Sequence, residues 1–150
     1  MAEKTLFPTF DMPEIVSGET TDTIVKYGRS WNFDFDAGEF VTDGGNRVQE
    51  ADGYNAWVQW CIKTCLTERF SFLAYSSAIG VESEEARQQP SRKATESVLE
   101  RSISEALLAD PRTESVRGFS FSWAGDSVYA SFVAYPKIGS PAELQVKISQ

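Results

Sequence analysis

The C-terminal part of the chain alternates apolar and polar residues three times in succession, and any fold must find a core for that stripe. Phe119, Phe121 and Trp123 alternate with Ser120 and Ser122, then Val128, Ala130 and Phe132 with Tyr129 and Ser131, then Leu144, Val146 and Ile148 with Gln145 and Lys147. Successive side chains of a strand point to opposite faces, so each run reads as a strand with one face on a core. Ala124-Gly125-Asp126 turns the chain after the first run, and Pro136 with Gly139-Ser140-Pro141 sets the third apart. In the middle run Tyr129, Val133 and Tyr135 put bulk on the second face as well, which marks a central strand.

Two helical stripes can cover such a sheet. At about 100° per residue, Tyr54, Trp57, Val58, Cys61, Ile62 and Cys65 share one arc of a helix over residues 54–66, with Asp52 and Gly53 at its start and Asn55, Gln59 and Lys63 opposite. Trp60 lies about 60° outside that arc, where it either widens the buried face or offers an aromatic anchor to a partner. A second helix spans residues 91–109, with Val98, Leu99, Ser102, Ile103, Ala106 and Leu107 on its apolar face and an i,i+4 pair, Arg101 and Glu105, on its wet one. Asp110-Pro111-Arg112 stops it, because proline cannot continue the hydrogen-bond ladder.

Upstream, Trp31, Phe33 and Phe35 alternate with Asn32 and Asp34 into a hairpin turning at Asp36-Ala37-Gly38-Glu39, and a second turn follows at Asp43-Gly44-Gly45-Asn46. Residues 69–75, with Phe70 and Phe72 on one side and Ser71 and Leu73 on the other, read as a further strand ended by Gly80, and residues 81–93 as a short helical turn plus a loop. Residues 1–29 carry Pro8, Pro13, Gly18 and Gly28 without periodicity and read as an extended arm, whose Leu6, Phe7, Phe10, Met12 and Ile15 must lie on the core or on a partner. With 150 residues there is room for one core. The expected fold is therefore α+β: a small single domain over residues 30–150, two main helices packed on a mostly antiparallel sheet, behind an N-terminal arm over residues 1–29.

Little in this chain invites catalysis. It has no histidine, which removes imidazole bases, Ser-His-Asp and Cys-His triads and every His-containing zinc site. Twenty-two acidic against fourteen basic residues give a net charge of −8, unsuited to nucleic acid or to acidic lipid headgroups. The N-terminus lacks a signal-peptide apolar run, and no stretch reaches the roughly eighteen apolar residues of a membrane span. Cys61 and Cys65 are four apart, the wrong spacing for a C-x-x-C motif, and read as inert packing in a reduced, cytoplasmically made chain.

A glycosidase would need two carboxylates across a sugar, for which Glu68 is the best-placed acid, with Asp34 or Asp36 as the second. Solvated acids beside aromatics explain the same residues. Asp34-Phe35-Asp36-Ala37-Gly38 begins like a calcium loop, but its glycine comes one place early and position twelve is Gly45, so no metal is expected there. Asp110-Pro111-Arg112 has two readings: a helix stop with an exposed ion pair of little stability, or a rigid corner aiming a guanidinium fork at a partner. Spacing does not choose between them.

Taken in order, Phe7-Pro8, Trp31-Asn32-Phe33-Asp34-Phe35 with Gly38, Gln59-Trp60, Leu66-Thr67-Glu68-Arg69-Phe70, Tyr75 with Gly80, and residues 106–112 (Ala-Leu-Leu-Ala-Asp-Pro-Arg) resemble the baseplate wedge and sheath-initiator family of contractile phage tails, in its XkdS-type prophage branch. The resemblance implies a non-enzymatic virion component that docks on wedge proteins around the tail tube and seeds the first ring of sheath subunits. Wedge proteins and sheath subunits would be its partners, with the tail tube as a further candidate, and no cofactor is implied. The family's Glu-Pro-Arg docking signature corresponds to Asp110, Pro111 and Arg112, with the acid one methylene shorter. On this reading Trp60 and the late strand carrying Leu144, Val146 and Ile148 join that corner as partner-binding candidates, the strand by edge pairing with an incoming subunit. Arg112→Ala is then expected to spare the isolated fold while weakening co-assembly.

Overall fold

In the computed structural model, residues 28–148 are described; the arm read over residues 1–29 lies outside them apart from its last two positions. Among these residues the fold is mixed: three helices and antiparallel sheets. The chain enters through β1 (Ser30–Trp31), β2 (Phe33–Asp34), β3 (Glu39–Phe40) and β4 (Glu50–Ala51), continues through α1 (Gly53–Leu66), α2 (Ser83–Arg87) and α3 (Arg92–Leu108), and ends in β5 (Thr113–Ala124), β6 (Ser127–Pro136) and β7 (Ala142–Ile148).

The three late strands form one antiparallel sheet in the order β5-β6-β7, with the central strand where two-sided bulk places it. Val128, Ala130, Phe132 and Ala134 of β6 and Ala142, Leu144, Val146 and Ile148 of β7 are buried on one face. Trp57, Cys61 and Cys65 of α1 and Leu99, Ile103, Ala106 and Leu107 of α3 join them in one core. α1 lies against β7 and α3 against β5. The buried Trp57 Nε1 donates to Thr113 Oγ1 at 3.0 Å, pinning the start of β5 to α1. Pairing between β5 and β6 slips between Arg117 and Ser120, where Gly118 at φ +71° absorbs an extra residue as a bulge and keeps Phe119 stacked on Phe132 at 5.2 Å.

Helix boundaries follow local chemistry. Ser91 caps α3 by accepting from Ala94 N–H at 3.2 Å, and Ala109 closes it. The N-terminal hairpin forms as β2 pairs β3, and Asp34 Oδ1 accepts the Asp36 and Ala37 amides inside its turn. Asp43 Oδ1 does the same for Gly45 and Arg47 in the second turn. Arg101 and Glu105 form the expected i,i+4 pair at 3.7 Å.

Two expectations are overturned. Residues 69–75 do not form a strand: they begin a loop of turns and bends that runs to Gly80, with Phe70 at φ +67°. A parallel bridge between Glu68 and Val81 brings the loop's ends together, so the residues between have no partner strand, and Phe70 and Phe72 are 71% and 58% exposed. Alternation implies a strand only where one face is buried. Gln59, expected on the wet side of α1, is buried because the N-terminal hairpin lies over it. Its amide meets the Asn32 side chain at 2.6 Å and accepts the Phe33 N–H.

Burial also governs the two free cysteines. Loss of solvent, with the Asp110 charge behind it, pushes the Cys61 thiol up to about 12 from 9.0, and burial likewise raises Cys65. A raised folded-state value means that the protonated Cys61 thiol stabilises fully below 9.0 and loses that contribution as pH climbs towards about 12. Both thiols are expected to resist alkylation at about pH 8 in the folded protein and to react fully once denatured; native-state labelling at the denatured rate would contradict this burial.

Candidate assembly surfaces

At the end of α3 the chain turns through Asp110, and Thr113 N–H closes the turn on the Asp110 carbonyl at 3.0 Å. Arg112 folds back on Asp110. Its backbone N–H donates to Oδ1 at 2.8 Å, Nε donates to both carboxylate oxygens at 2.9 and 3.1 Å, and Nη2 donates to Oδ2 at 2.6 Å. The guanidinium also lies 5.6 Å from the Trp60 ring centroid. With side-chain exposures of 15% for Arg112 and 9% for Asp110, this is a nearly buried fork, not the exposed pair of the first sequence reading.

Two of the separately named candidates, Trp60 and the Asp110-Pro111-Arg112 corner, are thus neighbours. Trp60 is half-buried against the core and roofed by Arg112, so it widens the buried face as the first reading of it expected. Lys137 N–H donates to the Arg112 carbonyl at 2.9 Å and ties the corner to the segment after β6.

The burial changes what Arg112→Ala does. Removing one member of a buried pair strands the other, so the variant is expected to lose about 2–3 kcal/mol, somewhat under the cost for a fully enclosed pair. Chemical denaturation checks this, and a midpoint equal to that of the parent would contradict it. The isolated fold is still expected to form at that cost, and loss of co-assembly must be judged against a stability control.

Leu144, Val146 and Ile148 lie elsewhere, on β7. These residues are only 2–7% exposed and belong to the core, so any contact along the free side of β7 would be made by main chain. Its ladder to β6 is unbroken over seven residue pairs, from Val128↔Ile148 to Ala134↔Ala142. Among the described residues no strand pairs with its other side. The opposite edge, β5, carries two register irregularities, a device that spoils an edge as a template. β7 is the more regular of the two edges.

Two of the three carboxylates considered for sugar chemistry, Glu68 and Asp34, are engaged structurally. Glu68 accepts from Ser83 N–H and Glu84 N–H, both at 3.2 Å, and so caps α2, while Asp34 serves its turn. Sequence reasoning missed Gln59 and Asn32, which join the hairpin to α1, and Arg69, whose guanidinium is 9% exposed and paired with Glu82 at 3.0 Å. A polar residue beside an aromatic in sequence carries no signal of such burial. No helix among the described residues is long and apolar enough to cross a membrane.

Comparison with known proteins gives one family: a model described as contractile injection system sheath initiator matches residues 29–135. Among curated proteins no relative matches the chain.

Proposed function

The chain belongs to the contractile injection system sheath-initiator family, and from that premise we propose that it docks on baseplate wedge proteins around the tail tube and starts the sheath by lending the edge of β7 to the first sheath subunits. Its role is structural, as a component of the particle's tail. The supporting observation is the contrast between the two sheet edges: β7 is regular along its whole length, whereas β5 is bulged. A rigid row of main-chain donors and acceptors pairs readily with an extended segment of another chain, giving affinity without any side-chain pocket.

Within this reading the two main helices back one face of the sheet, and the Asp110-Pro111-Arg112 corner with Trp60 meets the wedge. Pro111 and the internal fork hold that corner in one shape, so little conformational freedom is lost on docking. Particles assembled without this chain are expected to carry tubes on baseplates but no sheath. Electron microscopy of such particles is the test, and normally sheathed tails would contradict the proposal.

A further inference from the structure

We propose that the loop over residues 70–79 is a docking knob that inserts into an apolar, basic-rimmed cleft on another protein of the particle; this rests on the chain being a baseplate part and adds a contact distinct from the β7 edge and the Asp110 corner. In a chain that is 24% charged, no charged residue occurs from Phe70 to Gly80. Four large apolar or aromatic side chains stand out of this loop: Leu73 at 107% exposure, Phe70 at 71%, Phe72 at 58% and Tyr75 at 54%. A charge-free cluster with two phenylalanines and a tyrosine has the composition of an interface core, not of an ordinary wet loop.

The loop is also braced as a presenting element. Arg69 N–H donates to the Val81 carbonyl at 3.0 Å and Val81 N–H to the Thr67 carbonyl at 2.9 Å, closing its foot. The Arg69 side chain crosses the closure, with Nε donating to the Gly80 carbonyl and Nη1 to Glu82 Oε1, each at 3.0 Å. Gly80, at φ +99°, lies so near this foot that a Cβ would stand 2.8 Å from the Thr67 carbonyl oxygen, so the closure admits no other residue without shifting backbone. Phe72 and Tyr75 pack edge to face at 5.4 Å near the tip. Such a closed loop meets most of its ordering cost before any partner arrives.

Charge selects the occupant. The chain carries −8 overall, and of the acids around the loop's foot Glu84 is exposed, while Glu85 and Glu105 share Arg101 and Glu105 also meets Arg69. A second copy would bring the same negative field to the contact, and residues 1–27 hold five acids against two lysines, so neither complements the site. A cleft with an apolar floor and lysine or arginine at its rim does.

The test places a photoreactive amino acid at position 73 of the full chain, which is then assembled into particles. Leu73 touches little of its own fold, so melting should be unchanged. Irradiation is expected to join position 73 to a different polypeptide, within a segment containing lysine or arginine, and Leu73→Asp is expected to lower incorporation at least tenfold with native melting. Crosslinking to a second copy, to residues 1–27 or to a segment without basic residues would overturn the proposal. So would a chain present in particles that gives no crosslink, together with full incorporation of Leu73→Asp. These readouts do not involve the sheath, so loss of the knob and loss of the β7 edge are told apart, while a chain absent from the particle would end both.

Discussion

Deleting residues 142–150 is expected to yield a chain with no cooperative thermal transition. The segment includes β7, whose Leu144, Val146 and Ile148 are 7%, 2% and 7% exposed and belong to the single core cluster. Fully burying one such side chain stabilises by about 1.5–3 kcal/mol, so the three together contribute about 5–9 kcal/mol. That is comparable to the whole stability of a typical domain, about 5–15 kcal/mol. The deletion also strips β6 of its neighbour and leaves a long apolar strand as the new edge, which favours aggregation. Circular dichroism on heating reads the outcome; a sigmoidal melt near that of the parent would show that β7 is dispensable to the fold. Truncation therefore cannot by itself report on edge pairing, since loss of sheath would follow from loss of the domain.

Trp57→Ala carries the next largest effect. The side chain has no exposed surface, packs at 5.7 Å from the Tyr54 ring and holds Thr113 through its indole N–H. Truncating a fully buried tryptophan costs about 3–5 kcal/mol, because the lost transfer free energy is joined by the cavity left behind. For a domain of this size that lowers the melting temperature by about 10–25 °C. Trp57→Phe keeps most of the apolar volume and gives up the hydrogen bond to Thr113 with a smaller part of the packing, so its shift should be clearly smaller. Equal shifts for the two variants would contradict the division of labour between packing and hydrogen bonding.

What could be read from the residues alone was whatever rests on one buried face. β5, β6 and β7 announce themselves because each has an inward side that must be apolar, and α1 and α3 because their stripes must meet that sheet. The loop at 69–80 shows where that logic stops, since Phe70 and Phe72 alternate with serine yet bury neither face. Hydrophobic pattern records what wants to leave water, not where it goes. Gln59 fails in the opposite sense: helical periodicity sends a glutamine outward, and only the distant Asn32 and Phe33 make its burial possible.

The candidate site was legible as a set of positions and not as an arrangement. Asp110-Pro111-Arg112 could be marked as a corner, but spacing along the chain does not reveal that the fork closes on itself over Trp60, some fifty residues earlier. In β7 the named residues were right as a strand, and the structure buries their side chains in the core while leaving one side of the strand without a partner among the described residues. Main-chain pairing leaves few marks on composition.

Amide hydrogen exchange across β7 tests the central claim most directly, without altering a residue. In an antiparallel edge strand every second N–H faces away from its neighbour, so in the lone protein alternate amides among residues 142–148 should exchange rapidly while those bonded to β6 are protected. In sheathed particles the outward set is expected to become protected as well, and in baseplates without sheath to remain fast. Outward amides that exchange equally fast in all three states would contradict sheath initiation through this edge.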